Sequence, residues 1–168
     1  MPLSMYDASV PVFQRALGNL DALLRKGEEH AAAAGLDLAE LAAARLAPDM
    51  FPLPGQIQSA CDSAKFAAAR LTGTTAPSFP DTERTFEELH QRIAATLDYL
   101  ASVDPAGFAG SETREVVQKS RRGERHFVGT SYLLTFALPN FFFHVTTAYD
   151  ILRHKGVPVG KMDYLGAF

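Results

Sequence analysis

With 168 residues, the chain is long enough to form one domain with a substantial hydrophobic core. The composition is ordinary for a globular protein, with 47% apolar residues, 21% charged residues and a net charge of −3. This slightly acidic balance differs from the basic overall charge of most nucleic-acid-binding domains, so we expect no nucleic-acid partner.

Cysteine usage and the longest apolar segment bear on where the protein works. Cys61 is the one cysteine and cannot form an internal disulfide, which is typical of a reducing compartment. The first residues lack the basic and apolar segments of a signal peptide. The longest apolar run, 133–143, is interrupted by polar residues and is shorter than the ~20 residues that span a bilayer. We therefore expect a cytoplasmic protein with no membrane partner.

The first predicted helix lies within residues 4–34, where apolar residues recur at the spacing of one helical stripe. Because Pro11 falls inside this stretch, the helix either begins near Ser9 as its N-cap or is kinked at the proline. Gly35 is placed like the glycine that commonly follows a helix end. The stripe consists of Phe13, Leu17, Leu20 and Leu24.

Two further long helices are predicted after a short helical segment at 38–46 and a proline-rich connection at 48–55. The second long helix, at about 56–71, is rich in alanine, which allows a neighbouring helix to approach closely. The third extends to about residue 103 and begins with a capping box formed by Thr85 and Glu88. The predicted buried stripes are Ile57, Cys61, Ala64, Ala68 and Leu71, followed by Phe86, Leu89, Ile93, Leu97 and Leu100.

Between residues 113 and 128 the hydrophobic pattern changes and predicts a β-hairpin. Two short strand-like runs, 115–118 and 125–128, flank a charged turn. Arg121, Arg122 and Gly123 suit that turn because glycine readily adopts the left-handed backbone conformation.

A final helix is predicted at about 130–155, with a kink at Pro139 and an end at Gly156. Its first half is apolar nearly all round, so it should lie centrally. The tail that follows either packs back on the helices or contacts a second subunit through Tyr164, Leu165 and Phe168. These elements predict an all-α fold, a four-helix up-and-down bundle with a small β-hairpin before the last helix, formed by one domain covering residues 1–168.

His144, in the segment NFFFHVTTAYDILRHKG at 140–156, is the candidate for chemistry. A metal site in a helical bundle commonly uses two ligands at i, i+3 or i, i+4 on one helix. No H-x-x-x-H occurs, and four residues before His144 stands Asn140, whose amide is a weak ligand for a transition metal. His144 is therefore either the remnant of a metal site or a buried histidine held by hydrogen bonds.

Other catalytic motifs give no support for an enzyme. Cys61 falls on an apolar stripe with no base adjacent in sequence, so we interpret it as a buried small hydrophobic residue. The chain contains no G-x-S-x-G nucleophile elbow, no P-loop and no G-x-G-x-x-G dinucleotide fingerprint.

Over essentially its whole length the sequence resembles the DinB/YfiT-like superfamily of proposed metalloenzymes, in particular its bacterial branch of unknown function. The resemblance extends from SMYDASVPVF through ARLAPDMFPL and ACDSAKFAAARL to ALPNFFFHVTTAYDILRHKGVPVGKMDYLG. It implies a four-helix bundle that is often a homodimer. The metal-binding members use three histidines, one near the start of the second long helix and an H-x-x-x-H on the last helix.

The resemblance places Asn140 and His144 at the two histidine positions of the last helix. The position on the second helix falls within residues 56–59, where this chain offers Gln56, Gln58 and Ser59. Two of the three family ligands are thus replaced by amides or a hydroxyl, which bind zinc or nickel far less well than imidazole. We therefore expect no metal or other cofactor, with a divalent ion (zinc or nickel) at His144 as the alternative.

Three functions follow from this interpretation. In the first, the protein binds a small-molecule ligand in the former metal cleft through Gln58, Asn140, His144 and Tyr149. In the second, suggested by some relatives, it is a metal-dependent hydrolase or thiol S-transferase that uses His144 in an altered metal site. In the third, it is an interaction protein whose dimer surface is the working part.

Overall fold

The computed structural model describes residues 3–120 and 123–167. This part of the chain is mostly helical and contains one two-stranded antiparallel sheet. The elements in chain order are α1 (Val10–Ala34), α2 (Leu38–Ala43), α3 (Leu53–Thr72), α4 (Phe86–Ala101), a 3-10 turn (Pro105–Phe108), β1 (Glu115–Ser120), β2 (Gly123–Val128), α5 (Gly129–Tyr132), a π-helical turn (Leu133–Ala137), α6 (Leu138–His154) and α7 (Lys161–Leu165).

Helix α1 takes the first of its two predicted forms, because it begins after Ser9 and contains Pro11 in its first turn. A proline is tolerated there since the first backbone N–H groups of a helix have no partner within it. The Ser9 hydroxyl donates to the Met5 carbonyl at 2.6 Å and does not cap a helix amide. Gly35 ends the helix with a φ of 66°, as predicted. The predicted stripe of α1 is fully buried.

Helix α3 begins three residues earlier than predicted, because the proline-rich connection supplies its first turn. Pro52 precedes the helix in an extended conformation and Pro54 lies within the first turn. Helix α4 begins as predicted, with the Thr85 hydroxyl accepting from the Glu88 amide and the Glu88 carboxylate accepting from the Thr85 amide. The predicted stripes of α3 and α4 are buried, apart from the half-buried Leu97.

The predicted hairpin is confirmed, with β1 and β2 longer than the sequence runs indicated. Glu115 lies opposite Val128 and Ser120 opposite Gly123, whose φ of 112° requires glycine. The other predicted turn residues, Arg121 and Arg122, lie outside the described residues.

The predicted final helix is interrupted by a π-helical turn over residues 133–137, which ends just before Pro139, where the sequence predicted a kink. Pro139 follows within the first turn of α6. Proline cannot donate to the carbonyl four residues earlier and its ring crowds that carbonyl, so regular α-helical bonding cannot continue through this point. A π turn absorbs the mismatch while the chain stays helical, and such turns are frequent at functional sites.

Helix α6 lies between α1 and α3 and packs on both. On the α1 side, Phe141 is fully buried and meets Phe13 edge-to-face, with 4.8 Å between ring centroids. The alanine-rich α3 packs closely along α6, as its small residues predicted. No helix in the described part of the chain combines the length and apolar character that crossing a membrane requires.

The tail packs back on its own chain, which is the first of the two predicted alternatives. Helix α7 lies against α1, where Lys26 pairs with Asp163 at 2.5 Å and Asn19 donates to the Tyr164 carbonyl at 3.1 Å. Leu165 borders α1 at the same place, whereas Phe168 lies outside the described residues.

Candidate functional site

A cleft of about 270 Å³ lies between α3, α6 and strand β1, and we call it the His144 cleft. One face of α3 lines it, with residues that recur every three or four positions as helix geometry dictates. Helix α6 contributes Asn140 and His144, and β1 contributes Gln118 and Lys119. The lining residues from α3 are Ser59, Asp62, Ser63, Phe66 and Arg70.

Gln56 orients the His144 ring. This glutamine is 1% exposed in the first turns of α3, and its Nε2 donates to the Phe51 carbonyl at 3.1 Å. Because the donor end of the amide is engaged there, Oε1 faces His144 and lies 2.8 Å from Nδ1. The proton of a neutral His144 therefore resides on Nδ1, and Nε2 keeps its lone pair. Among the described residues, Nε2 of His144 has no hydrogen-bond partner.

Burial lowers the pKa of His144 below its usual value. Withdrawing the ring from water disfavours the charged imidazolium, and no carboxylate bonds to the ring to offset that effect within the described residues. At neutral pH the ring is therefore neutral, with one donor nitrogen used by Gln56 and one acceptor nitrogen available for other contacts.

The depressed pKa predicts that acidification destabilises the protein through His144. The unfolded chain binds this proton more readily, so stability is complete above the ordinary histidine pKa and falls as the pH drops through it toward the folded-state value. His144→Gln should therefore lose less of its free energy of unfolding than the unmodified chain between about pH 7 and pH 5. Urea unfolding at several pH values measures it, with the exposed His154→Gln as the matched control. Equal pH dependence in His144→Gln and the unmodified chain would contradict this prediction.

Asn140 lines the same cleft but does not bond to His144. Its Nδ2 donates to the Ser63 hydroxyl at 2.7 Å, and that hydroxyl donates to the Ser59 carbonyl at 2.7 Å. The amide is therefore oriented by α3, with no partner for its Oδ1 among the residues that the structure describes.

The structure separates the other two predicted ligand-binding residues from His144. Gln58 lines a neighbouring cleft of about 620 Å³ and donates to the Glu83 carboxylate at 2.9 Å. Tyr149 meets Tyr164 of α7 edge-to-face at 5.8 Å and lines neither cleft. Asn140 and His144 are thus brought together, Gln58 lies beyond the α3 wall, and Tyr149 lies apart.

Gln56 was one of three sequence candidates for the residue on α3 that faces His144, and only the structure distinguishes it from Gln58. A signal was nevertheless present, because Gln56 shares a helical face with three small residues that allow α6 to approach. The small residues of that face are Ala60, Ser63 and Ala67.

Behind the cleft wall lies a buried ionic network that sequence reasoning missed. The Arg92 side chain is 1% exposed and contacts the carboxylates of Asp62 at 2.8 Å, Glu83 at 3.0 Å and Asp81 at 3.1 Å. Lys65, with a side chain 2% exposed, also bonds Asp62, at 2.9 Å. Both cations contact the same oxygen of Asp62, which lines both clefts. The network therefore anchors the wall that the two clefts share.

Cys61 is buried on the apolar face of α3, as predicted. Burial raises the pKa of its thiol to about 12, which outweighs the opposing effect of a hydrogen bond with Thr96. At neutral pH the thiol is protonated and enclosed, and a buried thiol of this kind is not a nucleophile.

The residues at the His144 cleft do not fit a zinc or nickel ion. Catalytic zinc sites use three protein ligands drawn from histidine, cysteine and carboxylate side chains. The described residues contain no group of three or more such side chains placed to hold a metal ion. Gln56, Asn140 and His144, the residues around the His144 ring, supply one imidazole and two neutral amides, which are weak donors for these ions.

The mostly helical fold, its small hairpin and the cleft between α3 and the last long helix define a DinB-like protein. The model of the family "Domain of unknown function (DUF1993)" matches residues 5–165, and the chain belongs to this family. It is similar to a DinB family member from Shewanella denitrificans, known from a crystal structure, with 46% identity and a TM-score of 0.92. That match covers 98% of this chain and 93% of the other. No curated protein matches the chain.

Proposed function

We propose that this DinB-like protein binds a small polar ligand in the His144 cleft. The observation that carries the proposal is the 2.8 Å contact between Gln56 Oε1 and His144 Nδ1. This contact directs the ring proton away from the cleft and leaves Nε2 as an acceptor. A ligand that presents an N–H or O–H group to Nε2 satisfies it, and Asn140 beside it supplies a second acceptor.

Arg70 also lines the cleft, and its guanidinium can donate to an acceptor group at the other end of the ligand. Its Nη1 donates to the Tyr132 hydroxyl at 2.9 Å, and it pairs with no carboxylate among the described residues. Lys119, also at this end, is neutralised by Glu124 at 3.0 Å. The ligand we propose therefore carries a hydrogen-bond donor at the His144 end and an acceptor or anionic group at the Arg70 end.

Ring NMR of histidine-labelled protein tests this proposal. Amino acids, nucleosides and small amides are titrated as probes. We expect at least one of these three classes of compound to shift the His144 Nε2 signal. The exposed His154 signal serves as the internal control, and Asn140→Ala should weaken binding by about tenfold for one lost hydrogen bond. If no probe shifts the His144 signal, the proposal is overturned.

The same spectra separate ligand binding from metal binding. Zinc chloride should shift the His144 signal only weakly in the unmodified protein. The variant Gln56→His/Asn140→His should bind zinc about 100-fold more tightly per added imidazole, since complete structural zinc sites gain ~10–16 kcal/mol from four ligands. Tight zinc binding by the unmodified chain, with equal affinity in the double variant, would instead support a metal-dependent enzyme.

We also propose a four-helix up-and-down bundle of α1, α3, α4 and α6, within one domain covering residues 1–168. Support comes from the packing of α1 on α4, α4 on α3, α3 on α6 and α6 on α1, which closes a ring.

We propose that the protein works in the cytoplasm as a homodimer. Two exposed apolar side chains support a partner surface beside α6. Leu134, in the π-helical turn, is 55% exposed, and Phe143, on α6, is 56% exposed.

A further inference from the structure

The cleft of about 620 Å³ lies between α2, the first turns of α3 and the segment that precedes α4, and we call it the Phe51 cleft. It is separated from the His144 cleft by Ser59 and Asp62, which line both. Its volume falls within the range of ~300–1,000 Å³ typical of small-molecule sites. Its apolar walls are formed by Ala39, Ala42, Phe51, Pro52 and Pro54.

The Phe51 ring is an exposed aromatic surface whose base packs against the first turn of α3. Phe51 is 59% exposed, and the base of its side chain lies directly against the backbone of Gly55. A Cβ atom at Gly55 would lie 2.9 Å from the Phe51 Cβ and 3.2 Å from its Cγ, so this close approach requires glycine. An exposed aromatic ring at the edge of a cleft offers a flat surface on which an apolar or aromatic ligand can stack.

Two arginine side chains border the Phe51 cleft. Arg45 and Arg84 are exposed and contact backbone carbonyls, those of Met50 at 3.4 Å and Glu83 at 2.8 Å. Neither arginine side chain forms an ion pair with a carboxylate in the part of the chain that the structure describes, although the Arg84 backbone amide donates to the Glu88 carboxylate at 2.6 Å.

The two acidic residues of the same lining are already paired. Asp62 pairs with Lys65 and Arg92, and Asp81 pairs with Arg92 at 3.1 Å, a cation that both share with Glu83. The charged groups of this lining that have no ion-pair partner among the described residues are therefore the two guanidinium groups, whose planar N–H donors match a carboxylate or sulfonate in pairs.

We propose that the Phe51 cleft is a second binding site, for a small organic anion with a flat apolar body. The anionic group bonds to Arg45 and Arg84, and the body stacks on Phe51 between the alanine and proline walls. This site uses neither His144 nor Asn140 and does not depend on the function proposed for the His144 cleft.

A pair of matched probes tests the inference in the full-length protein. 2-Naphthoate carries the flat body and the negative charge, and 2-naphthamide carries the same body without the charge. In ¹H–¹⁵N spectra, 2-naphthoate should shift the amides of Ala42, Arg45 and Gly55 in a saturable manner, with about tenfold tighter binding than the amide. Arg45→Gln and Arg84→Gln should each weaken 2-naphthoate binding by about tenfold.

Two controls isolate the site. Arg153→Gln removes an exposed arginine that lines neither cleft and should leave 2-naphthoate affinity unchanged. His144→Gln should also leave it unchanged, which separates this inference from the function proposed above. Equal affinity for the charged and neutral probes, shifts centred on the His144 cleft, or no saturation by 2-naphthoate would each overturn the inference.

Discussion

Arg92→Met should lower the free energy of unfolding by about 3–5 kcal/mol, because it removes one side of a buried ionic network. The side chain is 1% exposed and contacts three carboxylates as well as the Pro80 carbonyl. Methionine fills similar space but leaves Glu83, with a side chain only 12% exposed, without its cation. Urea unfolding followed by circular dichroism measures the loss.

Arg84→Met is the matched control for this prediction. Arg84 lies eight positions earlier and is exposed, and its side chain forms no ion pair with a carboxylate among the described residues, so its replacement should change stability by less than about 0.5 kcal/mol. If Arg92→Met and Arg84→Met cost the same, the network does not hold this part of the fold together.

Acidification adds a second readout of the same network. Burial on its own raises the pKa of Glu83, but hydrogen bonds from its own backbone amide, Gln58 and Arg92 outweigh burial and leave the pKa lowered. A carboxyl group with a lowered folded-state pKa stabilises the protein above its ordinary pKa, and that stability is lost as the pH falls through the folded value. Arg92→Met should therefore lose less stability than the unmodified chain when acidified below about pH 5.

Phe141→Ala should destabilise the protein by about 3–5 kcal/mol, because it opens a cavity between α1 and α6. Phe141 is fully buried and meets Phe13 edge-to-face. The same helix carries His144 three residues later, on the side that faces α3. Thermal and urea unfolding measure the loss, and the His144 ring signal reports whether the cleft is preserved.

Phe143→Ala provides a control within the same run of three phenylalanines. Phe143 is 56% exposed in the single chain, so its truncation leaves no cavity within the fold and should change the stability of the monomer, measured at low protein concentration, by less than about 0.5 kcal/mol. Comparable losses in both variants would mean that α6 is rotated relative to the orientation described here.

Features set by local spacing were predictable from the sequence. The stripe of α1 follows from repetition at helical spacing, and the capping box of α4 from Thr85 and Glu88 three positions apart. The hairpin follows from two short runs on either side of Gly123. In each case the signal lies in residues close together along the chain, so their order determines the local geometry.

Long-range contacts were not predictable in the same way. Arg92 lies between apolar residues of its helix and pairs with carboxylates 9 to 30 positions away in sequence. Gln56 and Gln58 are equivalent candidates in sequence, and two positions on a helix turn side chains by roughly 200°. The helix start at Leu53 and the packing of α3 on α6 direct Gln56 to His144 and Gln58 to the Phe51 cleft.

By itself, the sequence determined a mostly helical protein with one hairpin, a family resemblance, and an imidazole at His144 without the second histidine of an H-x-x-x-H motif. Only the tertiary structure decided that Gln56 orients this imidazole, that Arg92 and Lys65 hold Asp62 between two clefts, and that Tyr149 lies elsewhere. The physical reason is that periodicity specifies which residues are buried, whereas the partner of a buried polar group depends on how separate helices pack.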